Sequence, residues 1–135
     1  MIPSTKKTIR FNKDGKLRIV MFSDIQDTLS FNPNTLAGYT AIIEAEKPDL
    51  VILGGDNCDG RKVKKYEELV EYLKIITAPL EERNIPWMHV FGNHDKDMDV
   101  DSLTQTLEYE KYPNCNSGHS EGIPGVTNYM VPILA

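Results

Sequence analysis

Two short apolar runs constrain the fold of this chain more than any other feature. They read DLVIL at 49–53 and IPWMHVF at 85–91, and both are typical of strands that are covered on two faces. A further strand is predicted at Leu17–Phe22. Segments with apolar residues at helical spacing separate the three strands, at Thr35–Glu46 and Tyr66–Arg83. This β-α-β-α-β order predicts a largely parallel sheet with helices packed against it.

The two ends of the chain carry the remaining predicted strands. An N-terminal hairpin is predicted, with strands at Thr8–Phe11 and Leu17–Phe22 joined by turn-forming residues at Asn12–Gly15. The C-terminal stretch TNYMVPIL predicts another strand, which Pro132 would keep at an edge or a bulge.

Two details of the predicted helices follow from single residues. A short helix is expected at Ser102–Lys111, opened by a capping box in which Ser102 pairs with Gln105. In the helix before it, Pro79 is expected to kink or shorten the C-terminal part.

The size and charge of the chain exclude several classes of protein. Its 135 residues suit one domain, 1–135, and its net charge of -5 argues against nucleic-acid or anionic-membrane partners. No stretch approaches the length of a membrane span, and MIPSTKKTIR lacks the apolar core of a secretory signal. Cys58 and Cys115 are too few for a disulfide framework, so a cytoplasmic location is predicted.

Polar residues follow each of the three central strands, where parallel sheets bind ligands. Any one of these clusters alone could be a turn or a helix cap. Three clusters at successive strand ends instead suggest a site for hard divalent cations, which prefer oxygen ligands. The residues expected to converge there are Asp24, Gln26, Asp56, Asn57, Asn93, His94 and Asp95.

The order of these clusters resembles the signature of calcineurin-like metallophosphoesterases, which reads D-x-H, then G-D-x-x, then G-N-H-D/E. This chain has DIQ at 24–26, GDNC at 55–58 and GNHD at 92–95. The resemblance extends from about Leu17 onward. The later stretch GVTNYMVPI is similar to a segment of the intracellular branch that resembles purple acid phosphatases.

The resemblance implies a role for each matching residue. Asp24 would bind the first metal, Asp56 would bridge two metals, and Asn93 would bind the second. His94 would steady the phosphate or protonate the leaving oxygen, with Asp95 holding its imidazole. Two divalent metal ions would polarise the phosphoryl oxygens and activate a water, so that a phosphate mono- or diester is hydrolysed.

The sequence departs from the family pattern at two points. Gln26 stands where the family has a histidine ligand, which favours manganese, iron or magnesium over zinc, unless Gln26 only orders a metal-bound water. The later histidine ligands of the family have no convincing equivalent. The chain is therefore expected to supply roughly the first half of a β-sandwich flanked by helices. The alternative function is an incomplete fragment that binds at most one metal and associates with another chain, for which self-association through an uncovered sheet surface is one route.

Three other reactive residues receive structural interpretations. His89 lies inside an apolar strand, where a packed core histidine is expected. His119 belongs to GHSE at 118–121. This is an imperfect match to G-H-x-H, the motif that supplies later ligands in the family, and it occurs too early in the chain. Cys58 follows the second cluster, but no glycine-rich phosphate loop surrounds it, so a small buried residue is expected.

The acidic run at 97–108 matches a calcium-binding loop in part. Asp97, Asp99, Asp101 and Glu108 occupy the first, third, fifth and twelfth places of the template, but Ser102 stands where glycine is required. Acidic residues before a helix are explained by its dipole and its cap, so no calcium site is predicted. An unrelated nucleotide-binding domain is also disfavoured, because SDIQDT contains no glycine.

Overall fold

The computed structural model describes residues 6–135. Residues 1–5, part of the segment in which no secretory signal is predicted, lie outside the described residues. Strands and helices alternate along the chain, and a short 3-10 helix, His94–Asp97, precedes the last helix. The strands are β1 Ile9–Arg10, β2 Ile19–Phe22, β3 Leu50–Leu53, β4 Trp87–His89 and β5 Ile133–Leu134; the helices are α1 Pro33–Glu46, α2 Tyr66–Glu81 and α3 Ser102–Glu110. The predicted mixed α/β class with parallel strands is confirmed.

The central sheet has the strand order β2-β3-β4, and both pairs are parallel. β3 lies in the middle, and Val51 and Leu53 are fully buried. Because the three strands run the same way, their carboxyl ends meet at one edge of the sheet. The loops that follow β2, β3 and β4 therefore begin side by side.

The helices bury one face of this sheet. On α1, Tyr39 meets Phe22 edge-on at 4.7 Å between ring centroids, and its hydroxyl donates to the carbonyl of Ile76 on α2 at 2.9 Å. On the same face, at the β4 edge of the sheet, Trp87 is fully buried and lies 6.1 Å from the ring of Tyr109 on α3. Apolar burial of this extent is the main source of stability in a small domain.

The opposite face of the sheet is apolar and largely uncovered by residues 6–135. Ile19, Met21 and Val90 are 46%, 65% and 40% exposed. The register places Met21 beside Ile52 and Ile52 beside Met88, so these side chains lie on one side of the sheet. We call Ile19, Met21, Ile52, Met88 and Val90 the open face.

The predicted N-terminal hairpin is wrong. The turn itself forms, since the amide of Gly15 donates to the carbonyl of Asn12 at 2.8 Å. The two flanking strands do not pair, however, because β2 pairs with β3 while β1 pairs in parallel with β5, Ile9 opposite Ile133. Turn chemistry specifies only the residues within the turn, whereas pairing depends on apolar surface that only the whole chain supplies.

The helix ends differ from the sequence prediction in two places. The N-cap of α3 is Asp101, not Ser102, and the side chain of Gln105 donates to two carbonyls of the preceding loop instead of closing a capping box. α2 continues through Pro79, which is buried, although the proline removes one i→i−4 hydrogen bond, and the helix ends at Glu81, two residues before the predicted end at Arg83. None of the helices in residues 6–135 is long and apolar enough to cross a membrane.

Candidate active site

The loops after β2, β3 and β4 are tied to one another by backbone hydrogen bonds. The amide of Asp24 donates to the carbonyl of Gly55 at 3.0 Å, and the amide of Gln26 donates to the carbonyl of Asp56 at 2.9 Å. The third loop is attached through the amide of Gly60, which donates to the carbonyl of His94 at 3.1 Å. The clusters predicted from the sequence therefore lie along one edge of the sheet, although their roles stay predictions.

Three of the predicted metal ligands have a left-handed backbone. The φ angles of Asp24, Gln26 and Asp56 are 57°, 44° and 48°, and Gly55 has a φ of 107°. Residues other than glycine rarely adopt this conformation, because the Cβ atom crowds the backbone. Strained backbone of this kind concentrates at functional sites, where the surrounding contacts maintain it.

The carboxylate of Asp56 is held between two loops. Asp56 is only 8% exposed, and its Oδ1 accepts a hydrogen bond from the amide of His94 at 2.9 Å. Gly92 makes this approach possible, because a Cβ at that position would lie 2.1 Å from the same Oδ1. The absence of a side chain at Gly92 thus allows the G-N-H-D motif to pack closely against Asp56 of the preceding motif.

Asp95 does not hold the imidazole of His94, and that part of the prediction is wrong. Its Oδ2 accepts from the amide of Gly92 at 2.8 Å, and its Oδ1 accepts from the amide of Cys58 at 3.0 Å. Burial raises the pKa of Asp95 to about 6, against the opposing effect of these two hydrogen bonds. Asp95 therefore joins the loops after β3 and β4, because both of its oxygens bind backbone amides.

The imidazole of His94 contacts Asp97 instead. Their side chains meet at 2.8 Å between Nδ1 and Oδ2. The 3-10 helix causes this contact, because residues three apart lie above one another when each turn has three residues. From the sequence, Asp97 was placed only in a rejected calcium loop, and the i, i+3 spacing from His94 was the signal that could have identified it.

A buried carboxylate and an arginine form a second polar feature beside the site. Asp59 accepts from Nε of Arg61 at 2.9 Å and from Nη2 at 3.1 Å, and these hydrogen bonds lower the pKa of Asp59. The same pairing raises the pKa of Arg61, with smaller contributions from the nearby charges of Asp97 and Asp56. This cation near the acidic edge was missed from the sequence, because Arg61 opens a short basic run, RKVKK at 61–65, which is typical of a solvated helix start.

The donor set at this edge fits a hard divalent cation. Asp24 and Asn93 are exposed, Gln26 is half-buried, and with Asp56 they offer only carboxylate and amide oxygens. Among residues 6–135, no group of three or more His, Cys, Asp or Glu side chains could hold a metal ion.

The other candidate residues have structural roles. His89 is fully buried, its Nδ1 lies 2.6 Å from the hydroxyl of Ser117, and its ring stacks on Tyr109 at 3.8 Å. Burial lowers the pKa of His89 to about 3. Nδ1 of His119 pairs with Glu110 at 2.9 Å. His89 is thus a packed core histidine, as expected, and His119 is engaged by a carboxylate of α3.

Two further expectations agree with the structure. Cys58 is a small buried residue, as expected, and burial, with nearby acidic charges, raises the pKa of its thiol. Asp101 caps α3 through the amide of Thr104 at 2.9 Å, and Glu108 accepts from the hydroxyl of Tyr66 at 2.8 Å. The acidic run is thus partly engaged by the helix and its neighbours.

The carboxyl edge of this parallel α/β sheet thus gathers carboxylates, amides and a histidine on three successive loops. A family model described as calcineurin-like phosphoesterase matches residues 17–130. The chain therefore belongs to the calcineurin-like phosphoesterase family, a superfamily of hydrolases whose members usually bind divalent metals. The resemblance noted in the sequence is confirmed.

Curated relatives give the same assignment. "Probable inactive purple acid phosphatase 14" and "Probable inactive purple acid phosphatase 29" of Arabidopsis thaliana are each 29% identical, over 81% and 84% of this chain. "Phosphatase DCR2" of Saccharomyces cerevisiae is 26% identical over 90% of the chain. The matches cover 31%, 33% and 24% of the lengths of these relatives, so the chain spans a third or less of each.

Proposed function

We propose that this chain carries the metal-binding edge of a phosphoesterase that hydrolyses a phosphate mono- or diester through a site for two divalent metal ions. One observation carries the proposal: the carboxylate of Asp56, in the loop after β3, is held at 2.9 Å by the amide of His94, which follows the predicted ligand Asn93 in the loop after β4. That contact brings the G-D and G-N-H-D motifs side by side, which supports a shared site. The family assignment supports the reaction class.

The residues that would hold metal are Asp24, Gln26, Asp56 and Asn93. Their oxygen donors favour manganese, iron or magnesium over zinc, which more often takes nitrogen or sulfur ligands. When bound, such cations polarise the phosphoryl group and activate the attacking water. The second cation needs ligands in addition to these four residues.

His94 would act on the substrate. Both of its backbone polar groups are hydrogen-bonded, the amide to Asp56 and the carbonyl to Gly60, so the ring projects from a fixed position. A histidine held in this way can donate a proton to the leaving oxygen or a hydrogen bond to the phosphate. Asp95 would contribute indirectly, by fixing the loop that begins at Gly92.

A second candidate function is a catalytically incomplete unit that binds at most one metal and associates with another chain. Two observations favour it: residues 6–135 contain no cluster of three metal-binding His, Cys, Asp or Glu side chains, and the open face exposes large apolar side chains. The Arabidopsis relatives also carry "inactive" in their names. For compartment we keep the cytoplasm, which suits two buried free thiols.

Metal binding and turnover separate the two candidates. The chain would be stripped of metal and titrated with manganese by electron paramagnetic resonance, and then assayed on aryl phosphate mono- and diesters. Asp56→Asn should abolish manganese binding. Asp14→Asn, a matched exposed carboxylate in the loop before β2, should not. His94→Ala should keep the metal and lose turnover.

The outcomes differ clearly. Turnover that Asp56→Asn and His94→Ala both abolish would support the enzyme. Manganese binding without turnover, with a mass in solution that rises with concentration and falls in Met21→Lys, would support the incomplete unit. Manganese binding unaffected by Asp56→Asn would refute both.

A further inference from the structure

The contact between His94 and Asp97 has a chemical consequence for the imidazole. An ionised carboxylate offers only acceptors, so a hydrogen bond from Nδ1 to Oδ2 at 2.8 Å requires the proton to be on Nδ1. The neutral ring then has its lone pair on Nε2, and the charged ring has its second proton there. Only Nε2 remains available for proton exchange with another molecule.

The surrounding contacts leave Asp97 as the residue suited to fixing which nitrogen of the His94 ring carries the proton. The adjacent carboxylate, Asp95, uses both oxygens on the amides of Gly92 and Cys58. Both backbone polar groups of His94 are bonded to the loop after β3, the amide to Asp56 and the carbonyl to Gly60. With the backbone held, the side-chain contact to Asp97 determines how the ring is turned and which nitrogen is protonated.

We infer that Asp97 is a positioning residue that holds the His94 ring in the Nδ1–H form, so that Nε2 delivers the proton to the leaving oxygen of a phosphoester. This inference rests on the proposed function for its substrate, but the protonated nitrogen can be observed without substrate. It chooses proton donation over a steadying hydrogen bond as the role of His94. In the proton transfer, the Nε2–H bond breaks, and the proton joins the oxygen that leaves phosphorus.

The alternative is an ordinary surface ion pair between residues three apart, with no consequence for the ring. Exposed pairs of this kind contribute little to stability. The side chains of His94 and Asp97 are 28% and 41% exposed, so stability measurements alone would not separate the two interpretations. A spectroscopic test of the ring nitrogens does separate them.

Long-range 15N–1H NMR of the metal-free chain, at a pH where the rings are neutral, reports which nitrogen of each histidine carries the proton. His94→Gln assigns the signals. We expect Nδ1–H for His94 in the wild type and a shift toward Nε2–H, the form that solvated imidazole prefers, in Asp97→Ala. His119, which uses Nδ1 on Glu110, should stay Nδ1–H in both and serves as an internal reference.

Asp99→Ala is the matched control, because Asp99 is an exposed carboxylate two residues further on, and its structural contact is through its backbone amide to Lys64. It should leave the ring of His94 in the Nδ1–H form. A wild-type ring already in the Nε2–H form, or a ring that Asp97→Ala does not change, would overturn the inference. Near-UV circular dichroism verifies that the variants keep their packing.

Turnover provides the second readout. With manganese bound, Asp97→Ala should reduce kcat for an alkyl phosphate at least tenfold more than for a nitrophenyl phosphate, which leaves without protonation. An equal loss for both would overturn proton delivery by His94. Absence of turnover in the wild type, with the Nδ1–H form intact, would count against the proposed function and not against the role of Asp97 in fixing the ring.

Discussion

The glycine at position 92 allows the sharpest test of how this site is built. A Cβ placed there would lie 2.1 Å from Oδ1 and 2.5 Å from the amide nitrogen of Asp56. Gly92→Ala therefore forces the loop after β4 away from the loop after β3. The shift would have to be about 1 Å, since Cβ atoms essentially never come within 3.0 Å of other heavy atoms.

The expected cost follows from the contacts that must change. Overpacking a close contact costs about 1–3 kcal/mol, and the hydrogen bond from the amide of His94 to Asp56 is worth about 1.5–3 kcal/mol because its acceptor is charged. Since partial relaxation recovers some of both, we expect Gly92→Ala to lower the free energy of unfolding by about 3 kcal/mol. Displacing a ligand's supporting contact should also weaken manganese binding about 10- to 100-fold.

Urea denaturation followed by tryptophan fluorescence, together with manganese titration, measures both effects. Gly38→Ala is the matched control, because Gly38 lies in α1 and a Cβ added there would meet no atom within 4 Å, so alanine should stabilise that helix by about 0.5–1 kcal/mol. The same chemical change is thus expected to have opposite signs at the two glycines. Surface substitutions usually change the free energy of unfolding by less than about 0.5 kcal/mol. If Gly92→Ala lowers it by no more than that, this account of the loop contact is refuted.

Three further predictions concern pH, metal choice and thiol reactivity. The pKa of His89 is about 3 when folded and near 6.5 when unfolded, so the unfolded state takes up the proton first and stability falls with pH below about 6.5. Between pH 6.5 and 5, urea titrations should show that the metal-free wild type loses about 2 kcal/mol of unfolding free energy relative to His89→Phe. The raised pKa of Asp95 acts in the opposite direction, but Asp95 is present in both proteins and its effect cancels. Parallel pH profiles of the two proteins would contradict the reasoning. Gln26→His should raise the affinity for zinc relative to manganese at least tenfold in competition titrations, since imidazole is the better zinc ligand, and an unchanged ratio would show that position 26 does not bind metal. Cys58 and Cys115 should react with a thiol reagent only after urea unfolding, because burial raises both pKa values; rapid labelling of the native chain would contradict their burial.

The features that the sequence predicted well depend on long patterns. The apolar run at Leu50–Leu53 and the helix-forming segments on either side of it required a parallel sheet, and parallel strands bring their carboxyl ends together. The convergence of Asp56 and His94 follows from that topology. The order of three motifs was also informative, because each occurs where a strand ends.

The features that the sequence predicted poorly depend on single contacts. Asn12–Gly15 formed its turn, but nothing local could indicate that β1 pairs with a strand more than 120 residues away. Asp95 was chosen as the partner of His94 because it is adjacent, whereas neighbouring side chains in a 3-10 helix diverge and Asp97 comes into reach. Such choices depend on side-chain direction, which a motif does not encode.

The pairing of β1 with β5 has a consequence for the order of events during synthesis and folding. Ile9 is 2% exposed, yet its strand partner is Ile133, so β1 must wait until almost all of these residues have left the ribosome. The central sheet needs nothing beyond His89 for its three strands and can form earlier. Interactions that form after the folding barrier affect mainly the rate at which the native state opens. The β1–β5 pair would then form after the folding barrier. In stopped-flow kinetics, Ile9→Ala should therefore speed unfolding while leaving refolding nearly unchanged.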